Sequence, residues 1–203
     1  KRERLDTSSG DRGEADPGDE ALMGWPSFVS YYLDAIKMGA TPVTVPLHDG
    51  AYDLEAMAGR IGPRTKIAYV CNPNNPTGSM VGRDALAAFV DAVPEDVLVV
   101  VDEAYCDYIT DPDYPDATAE HVGRRPNVAV LRTFSKIYGL AGLRVGYMVG
   151  PAEVVREVMK IRNAFDVSEL AHVAALASLD DAEELARRRD VNERGRIALE
   201  ATF

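Results

Sequence analysis

Residues 66–105, KIAYVCNPNNPTGSMVGRDALAAFVDAVPEDVLVVVDEAY, read as strand, loop, helix, strand and loop. Lys66 to Cys71 is a short strand-forming run, and Val97 to Val101 (VLVVV) is the continuous apolar run expected of a strand buried on both faces. Between them, Leu86, Ala87, Phe89 and Val90 fall on one face of a helix over Asp84 to Val93. A strand–helix–strand unit with such strands points to α/β architecture with a mainly parallel sheet.

The alternation continues on both sides. Downstream, Val128 to Leu131 (VAVL) and Val145 to Val149 read as further strands of the buried kind, and helices follow at Ala152 to Arg162, Glu169 to Leu179 and Ala182 to about Leu199. Upstream, a short strand is expected around Ala21 to Met23. From Ser27 a helix runs to Gly39, with Phe28, Tyr31, Tyr32, Ala35 and Met38 at helical spacing. Thr41 to Val45 is strand-like, and Pro42 places it at a sheet edge or a strand start. The first twenty residues hold only Leu5 and Ala15 as apolar side chains, too few to offset the entropy of ordering them. The reading is therefore a divergent polar tail over 1–16, a domain over 17–165 opening with a Pro17-Gly18 turn, and helices over 166–203 that lead onward.

With 46% hydrophobic and 27% charged residues, the 203-residue chain has ordinary globular composition. Its net charge of −11 lacks the basic field that nucleic acid or an anionic membrane surface would need. There is no run of about 18 apolar residues, so neither a membrane-spanning helix nor a secretory signal is expected. Cys71 and Cys106 stand alone in apolar surroundings and read as buried free thiols, which suits a reducing, cytoplasmic compartment. His48, His121 and His172 are scattered, and no metal site is expected.

Ligands of open α/β sheets bind beyond the carboxyl ends of the strands, so the chemistry belongs in the loops that follow them. Asn72 to Gly78 (NPNNPTG) suits a tight turn by backbone geometry, and equally a rigid platform presenting amide side chains. Asp102-Glu103 could cap a helix or serve a site; a nucleotide hydrolase would need an upstream GxxxxGK[ST] loop, which the chain lacks. In Arg132 to Gly146 (RTFSKIYGLAGLRVG), Lys136 and Arg144 lie eight residues apart, with Thr133 and Ser135 just before the lysine. A flexible surface loop with solvated cations would look like this. So would a lysine in apolar surroundings, whose amine can have a depressed pKa and attack a carbonyl.

Taken together, CNPNNPTG, VDEAY and RTFSKxxGLAGLRVGY resemble the pyridoxal-phosphate enzymes of fold type I, and most closely the histidinol-phosphate aminotransferases, over about Asp16 to Leu179. The resemblance implies the large domain of that fold, a mainly parallel sheet sandwiched by helices, truncated here at both ends. It places Asp102 opposite the protonated ring nitrogen of pyridoxal 5'-phosphate, and Asn75 and Tyr105 on the ring phenolate oxygen. Lys136 would form the Schiff base and then carry the proton, while Arg144, Ser135 and Thr133 would hold the phosphate. Phe28 takes the position of the aromatic ring stacked on the pyridine, although a core aromatic would fit its helix equally well. The implied reaction moves an amino group between L-histidinol phosphate and 2-oxoglutarate in a cytoplasmic homodimer. An aromatic amino-acid aminotransferase, a threonine-phosphate decarboxylase or an inactive fragment are the alternatives. The family's Gly-Ser-rich helix start is not recognisable in Ser8-Ser9-Gly10-Asp11, nor is the upstream tyrosine that reaches the partner's site. The C-terminal small domain is expected beyond Phe203. By these departures, residues 1–203 alone are expected to bind cofactor weakly and to turn over little.

Overall fold

The computed structural model describes Asp16 and residues 18–202; the remainder of the expected tail, Ser8 to Asp11 and Pro17 lie outside the described residues. Six strands form one sheet: β1 (Glu20–Trp25), β2 (Thr41–Pro46), β3 (Thr65–Cys71), β4 (Leu98–Asp102), β5 (Val128–Thr133) and β6 (Gly146–Val149). Their spatial order is β2-β1-β3-β4-β5-β6, with every pairing parallel except β5 with β6. Around the sheet lie α1 (Val29–Lys37), α2 (Leu54–Ala58), α3 (Arg83–Ala92), α4 (Ala117–Glu120), α5 (Ala152–Ile161), α6 (Glu169–Leu179) and α7 (Ala182–Glu200).

The core forms where the apolar runs meet. Leu22 and Met23 of β1, Val70 of β3, Val99 and Val101 of β4 and Val130 of β5 are fully buried, and Leu86, Phe89 and Val90 of α3 pack against them. Val97 to Val101 thus sits at the middle of the sheet, as its unbroken hydrophobicity requires. Thr41 starts an edge strand, where the missing N–H of Pro42 costs no ladder bond.

Two expectations need correction, and two short helices have no counterpart in the sequence reading. Val145 to Val149 is not a strand buried on both faces: β6 is an antiparallel edge strand, with Gly146 and Tyr147 exposed and Met148 and Val149 half-buried. A short apolar run carries no direction, and here the chain returns through the irregular loop over 134–145 instead of a helical crossover. The short helices α2 and α4 escape periodicity because they span little more than one turn. Each is started by an aspartate, Asp53 accepting from the N–H of Ala56 at 2.9 Å and Asp116 from that of Ala119 at 3.2 Å. Both cysteines are free, but only Cys71 is buried; Cys106 is half-buried, and desolvation pushes its thiol up to about 12.

Opposite the carboxyl ends of the strands, His121 is buried beside Asn127, Arg125 and the turn before β4. Asn127 Nδ2 donates to the carbonyls of Pro94 and Val97, and Arg125 to that of Val93. Burial holds the His121 imidazole below its ordinary value of 6.5, against a smaller upward pull from Asp91. Below pH 6.5 the unfolded chain takes up a proton that the native imidazole resists, so His121 should lower stability as pH falls from 7 towards 5. Melting temperature against pH checks this: His121→Gln should flatten that part of the curve, and an unchanged slope would contradict it.

Candidate functional site

The carboxyl ends of β3, β4 and β5 finish side by side, with Cys71 opposite Asp102 and Asp102 opposite Leu131 in the ladders. The three loops that follow therefore open at one edge of the sheet. In the first, two of the three asparagines are consumed by structure. Asn72 pairs with the backbone of Val81 through both its amide atoms, at 2.9 and 3.1 Å. Asn74 joins a buried chain: the Tyr52 hydroxyl donates to Ser27 Oγ at 2.7 Å, Ser27 donates to Asn74 Oδ1 at 2.8 Å, and Asn74 Nδ2 donates to Thr77 Oγ1 at 2.8 Å. Gly24 is needed here because a Cβ would strike the Tyr52 ring. These bonds leave Asn75 to face the next loop, where its Nδ2 donates to the Tyr105 hydroxyl at 3.5 Å.

The second loop begins with Asp102, the last residue of β4. It does not cap a helix. Its Oδ1 accepts the N–H of Ala104 at 3.0 Å in a tight turn, and its Oδ2 accepts the hydroxyl of Tyr31 at 2.5 Å. Burial raises its carboxyl above the ordinary value, while Tyr31, Ala104 and Lys136 pull the other way. Its neighbour Glu103 points to the opposite side. Only 1% exposed, it is neutralised by Arg132 at 2.7 Å and accepts the N–H of Ala117. The acid pair thus divides its work, Glu103 bracing β4 on β5 and Asp102 facing the site.

In the third loop Lys136 is half-buried, its Nζ 4.8 Å from the centre of the Tyr105 ring. Lys136, Tyr105, Asn75 and Asp102 are thereby brought together. The proposed phosphate residues are gathered only in part. Thr133, Ser135 and Arg144 line one cavity, but Thr133 Oγ1 accepts the Ser135 N–H at 3.1 Å and donates to the Val145 carbonyl at 3.4 Å, so its hydroxyl shapes the turn. Arg144, exposed and in the left-handed region at φ 54°, donates to the carbonyl of Ala141 at 2.7 Å within its own turn. Phe28 is 40% exposed and sits edge-on to Tyr31 at 5.5 Å, which removes the core reading and leaves its ring at the edge where Asp102 lies.

Two arginines that pattern reading passes over hold the loops from outside. Arg188 of α7 donates to the carbonyl of Ile137 at 2.7 Å and to Glu184 at 2.8 Å, and Arg189 donates to the carbonyl of Asp107. Gly139, at φ 71°, lies under Arg188, and a Cβ there would overlap the guanidinium. Gly139→Ala should therefore lose about 1–2 kcal/mol from the left-handed backbone alone, and more from the displaced arginine. Chemical denaturation measures the sum, and a loss no greater in the parent than in an Arg188→Ala background would remove the arginine's part. Beneath the loop, Ala171 and Ala175 of α6 pack on Phe134 and Val145. Among the described residues no helix is long and apolar enough to cross a membrane.

Comparison with known proteins identifies the family. The family model for aminotransferase class I and II matches residues 10–201. The chain is 49% identical over 187 residues to a histidinol-phosphate aminotransferase of Moorella thermoacetica, covering 92% of this chain and 48% of that protein. It is also 49% identical over 188 residues to an aromatic amino acid aminotransferase of Mycobacterium tuberculosis, covering 92% and 53%. The chain spans about half the length of these relatives. Among solved structures, it superposes on a Sinorhizobium meliloti histidinol-phosphate aminotransferase in complex with pyridoxal-5'-phosphate with a TM-score of 0.82 and 34% identity, over 90% of this chain and 50% of that one. An aspartate aminotransferase from Thermus thermophilus with maleate gives a TM-score of 0.83 at 26% identity, over 94% and 52%.

Proposed function

The chain belongs to the class I and II aminotransferases, and from that premise we propose that it builds the cofactor site of a pyridoxal-phosphate-dependent aminotransferase of the histidinol-phosphate type. One observation carries the reading: the meeting of Lys136, Tyr105, Asn75 and Asp102 at the carboxyl edge of β3, β4 and β5. The donor set suits the group. A carboxylate meets a protonated ring nitrogen, an amide and a phenol meet a phenolate oxygen, and an amine meets an aldehyde. Pyridoxal phosphate, when bound, supplies an electron sink for the pair released at the substrate's α-carbon.

The chain's own residues do the rest. Asp102, fixed by Ala104, would hold the ring nitrogen's proton by its charge. Asn75 and Tyr105 would donate to the phenolate oxygen and favour its anion. Lys136 Nζ would hold the aldehyde carbon covalently, with loss of water, and once exchanged for a substrate amine the lysine amine would be free to take the substrate's α-proton and return it at the far end of the transfer. Ser135 and Arg144 would hold the phosphate. For this Arg144 would exchange the neutral carbonyl of Ala141 for an anion, a stronger, charge-assisted partner.

The name of the Moorella relative supports histidinol phosphate as the amino donor, with 2-oxoglutarate as the acceptor that the family resemblance implies; the mycobacterial relative, equally similar, supports aromatic amino acids as the second reading. Both belong to a homodimer by family resemblance, which light scattering of the purified protein checks. Adding pyridoxal phosphate to the chain should produce a visible absorbance band. Borohydride reduction followed by peptide mapping should place the label on Lys136, and a label on Lys66 or Lys160 would overturn the assignment. Parallel assays with histidinol phosphate and with phenylalanine as donor decide between the two substrate readings.

A further inference from the structure

Tyr31 enters the sequence as one more aromatic on the inward face of a helix, and the structure gives its hydroxyl a specific partner. The ring is 6% exposed and stacked on Tyr69 of β3 with centres 4.6 Å apart and planes 7° from parallel; Phe28 meets it edge-on at 5.5 Å. A ring held on two sides leaves its hydroxyl one direction to point, and that direction ends 2.5 Å from Asp102 Oδ2. Burial and the charge of Asp102 push this phenol far above its ordinary value, so it stays protonated and donates at every working pH.

A carboxylate at a strand end can rotate about its terminal bond, and a single anchor leaves that rotation loose. Asp102 has two anchors from different elements, the Ala104 N–H on one oxygen and Tyr31 of α1 on the other. The other titratable groups that bear on it are Lys136, whose charge favours the anion, and the phenol of Tyr52 and thiol of Cys71, each of which is itself held protonated. Within the functional reading above, on which this step rests, we infer that Tyr31 is a positioning residue that fixes the plane of the Asp102 carboxylate against the cofactor's ring nitrogen. Phe28, three residues earlier on the same helix entry, then brings ring face and nitrogen partner into register from a single segment.

Tyr31→Phe keeps the stack on Tyr69 and removes only the donor, and its fold is checked by circular dichroism. In the chain without cofactor, carbon NMR should show the Asp102 carboxyl titrating about one unit higher in Tyr31→Phe than in the parent. With cofactor, absorbance titration should show pyridoxal phosphate binding about 10-fold weaker, and no further weakening when Tyr31→Phe is added to Asp102→Asn. An unmoved titration, or equal weakening in both backgrounds, would reduce Tyr31 to a packing residue. A parent that shows no absorbance band even at the millimolar pyridoxal phosphate that weak binding calls for overturns the functional reading and this role with it, whereas a binding parent matched by an equally tight Tyr31→Phe overturns this role alone. Should the variant not fold, the parent decides. A slowly exchanging, downfield hydroxyl proton of Tyr31 should shift on addition of pyridoxal phosphate, and one indifferent to it would contradict the inference.

Discussion

Replacing Lys136 by alanine is expected to leave pyridoxal phosphate without its covalent anchor and to reduce α-proton exchange by about 10⁴-fold or more. The size follows from two lost functions on one atom. In the proposed site Nζ would be the nucleophile towards the aldehyde and, once freed from it, the base for the α-proton; positioned proton transfer alone contributes about 10²–10⁴-fold. The surroundings make a substitute hard to find. Lys136 lies on a loop held by Arg188 at the carbonyl of Ile137 and by the packing of Phe134 on α6. Tyr105, whose ring lies 4.8 Å from Nζ, and Asp102 are assigned to other work in the proposed site. Exogenous methylamine should restore part of the exchange, because a small amine can enter the space that the lysine leaves. Exchange in Lys136→Ala within tenfold of the parent would show that another group carries the proton.

Asp102→Asn is the second large effect. The substitution keeps shape and removes charge, so in the proposed site the ring nitrogen would lose the anion that holds its proton. Removing one preorganised electrostatic partner in a shielded site typically lowers rate by about 10²–10³-fold, roughly 3–4 kcal/mol. Burial already presses the Asp102 carboxyl towards its neutral form, and Tyr31, Ala104 and Lys136 oppose that pressure. The bound cofactor's cation should tip the balance to the carboxylate, so the absorbance of the bound chromophore should change far more with pH in Asp102→Asn than in the parent. Matching proton-exchange rates in the two would remove Asp102 from the nitrogen.

The two central strands and their loops were legible because each signal is local. VLVVV can satisfy its hydrophobicity only between two faces, and Asp102 and Lys136 follow directly in the chain from strands that the pattern reveals. Tyr31 was not legible as a partner of Asp102: seventy-one positions separate them, and periodicity reports only that the ring turns inward. The three asparagines of the first loop look alike in sequence. Only the bonds of Asn72 to Val81 and of Asn74 to Ser27 show that Asn75 alone reaches Tyr105. Arg188 and Arg189 sit in a run of three arginines on α7, and nothing in that run distinguishes a guanidinium bound to a carbonyl from one in solvent. For Arg144 the sequence supplied the residue but not its resting partner, the carbonyl of its own turn.

A parallel sheet sorts its connections into two populations, and that separation marks where this protein can be re-engineered. Every group assigned to chemistry lies at the carboxyl ends of the strands, while the returns into β3, β4 and β5 turn at the other edge. There Glu95 and Asp96 are exposed between α3 and β4, and Gly123 and Arg124 between α4 and β5. A fluorescent reporter, an affinity tag or the junction of a split chain inserted between Glu95 and Asp96 would have the full length of β4 and β5 between itself and Lys136.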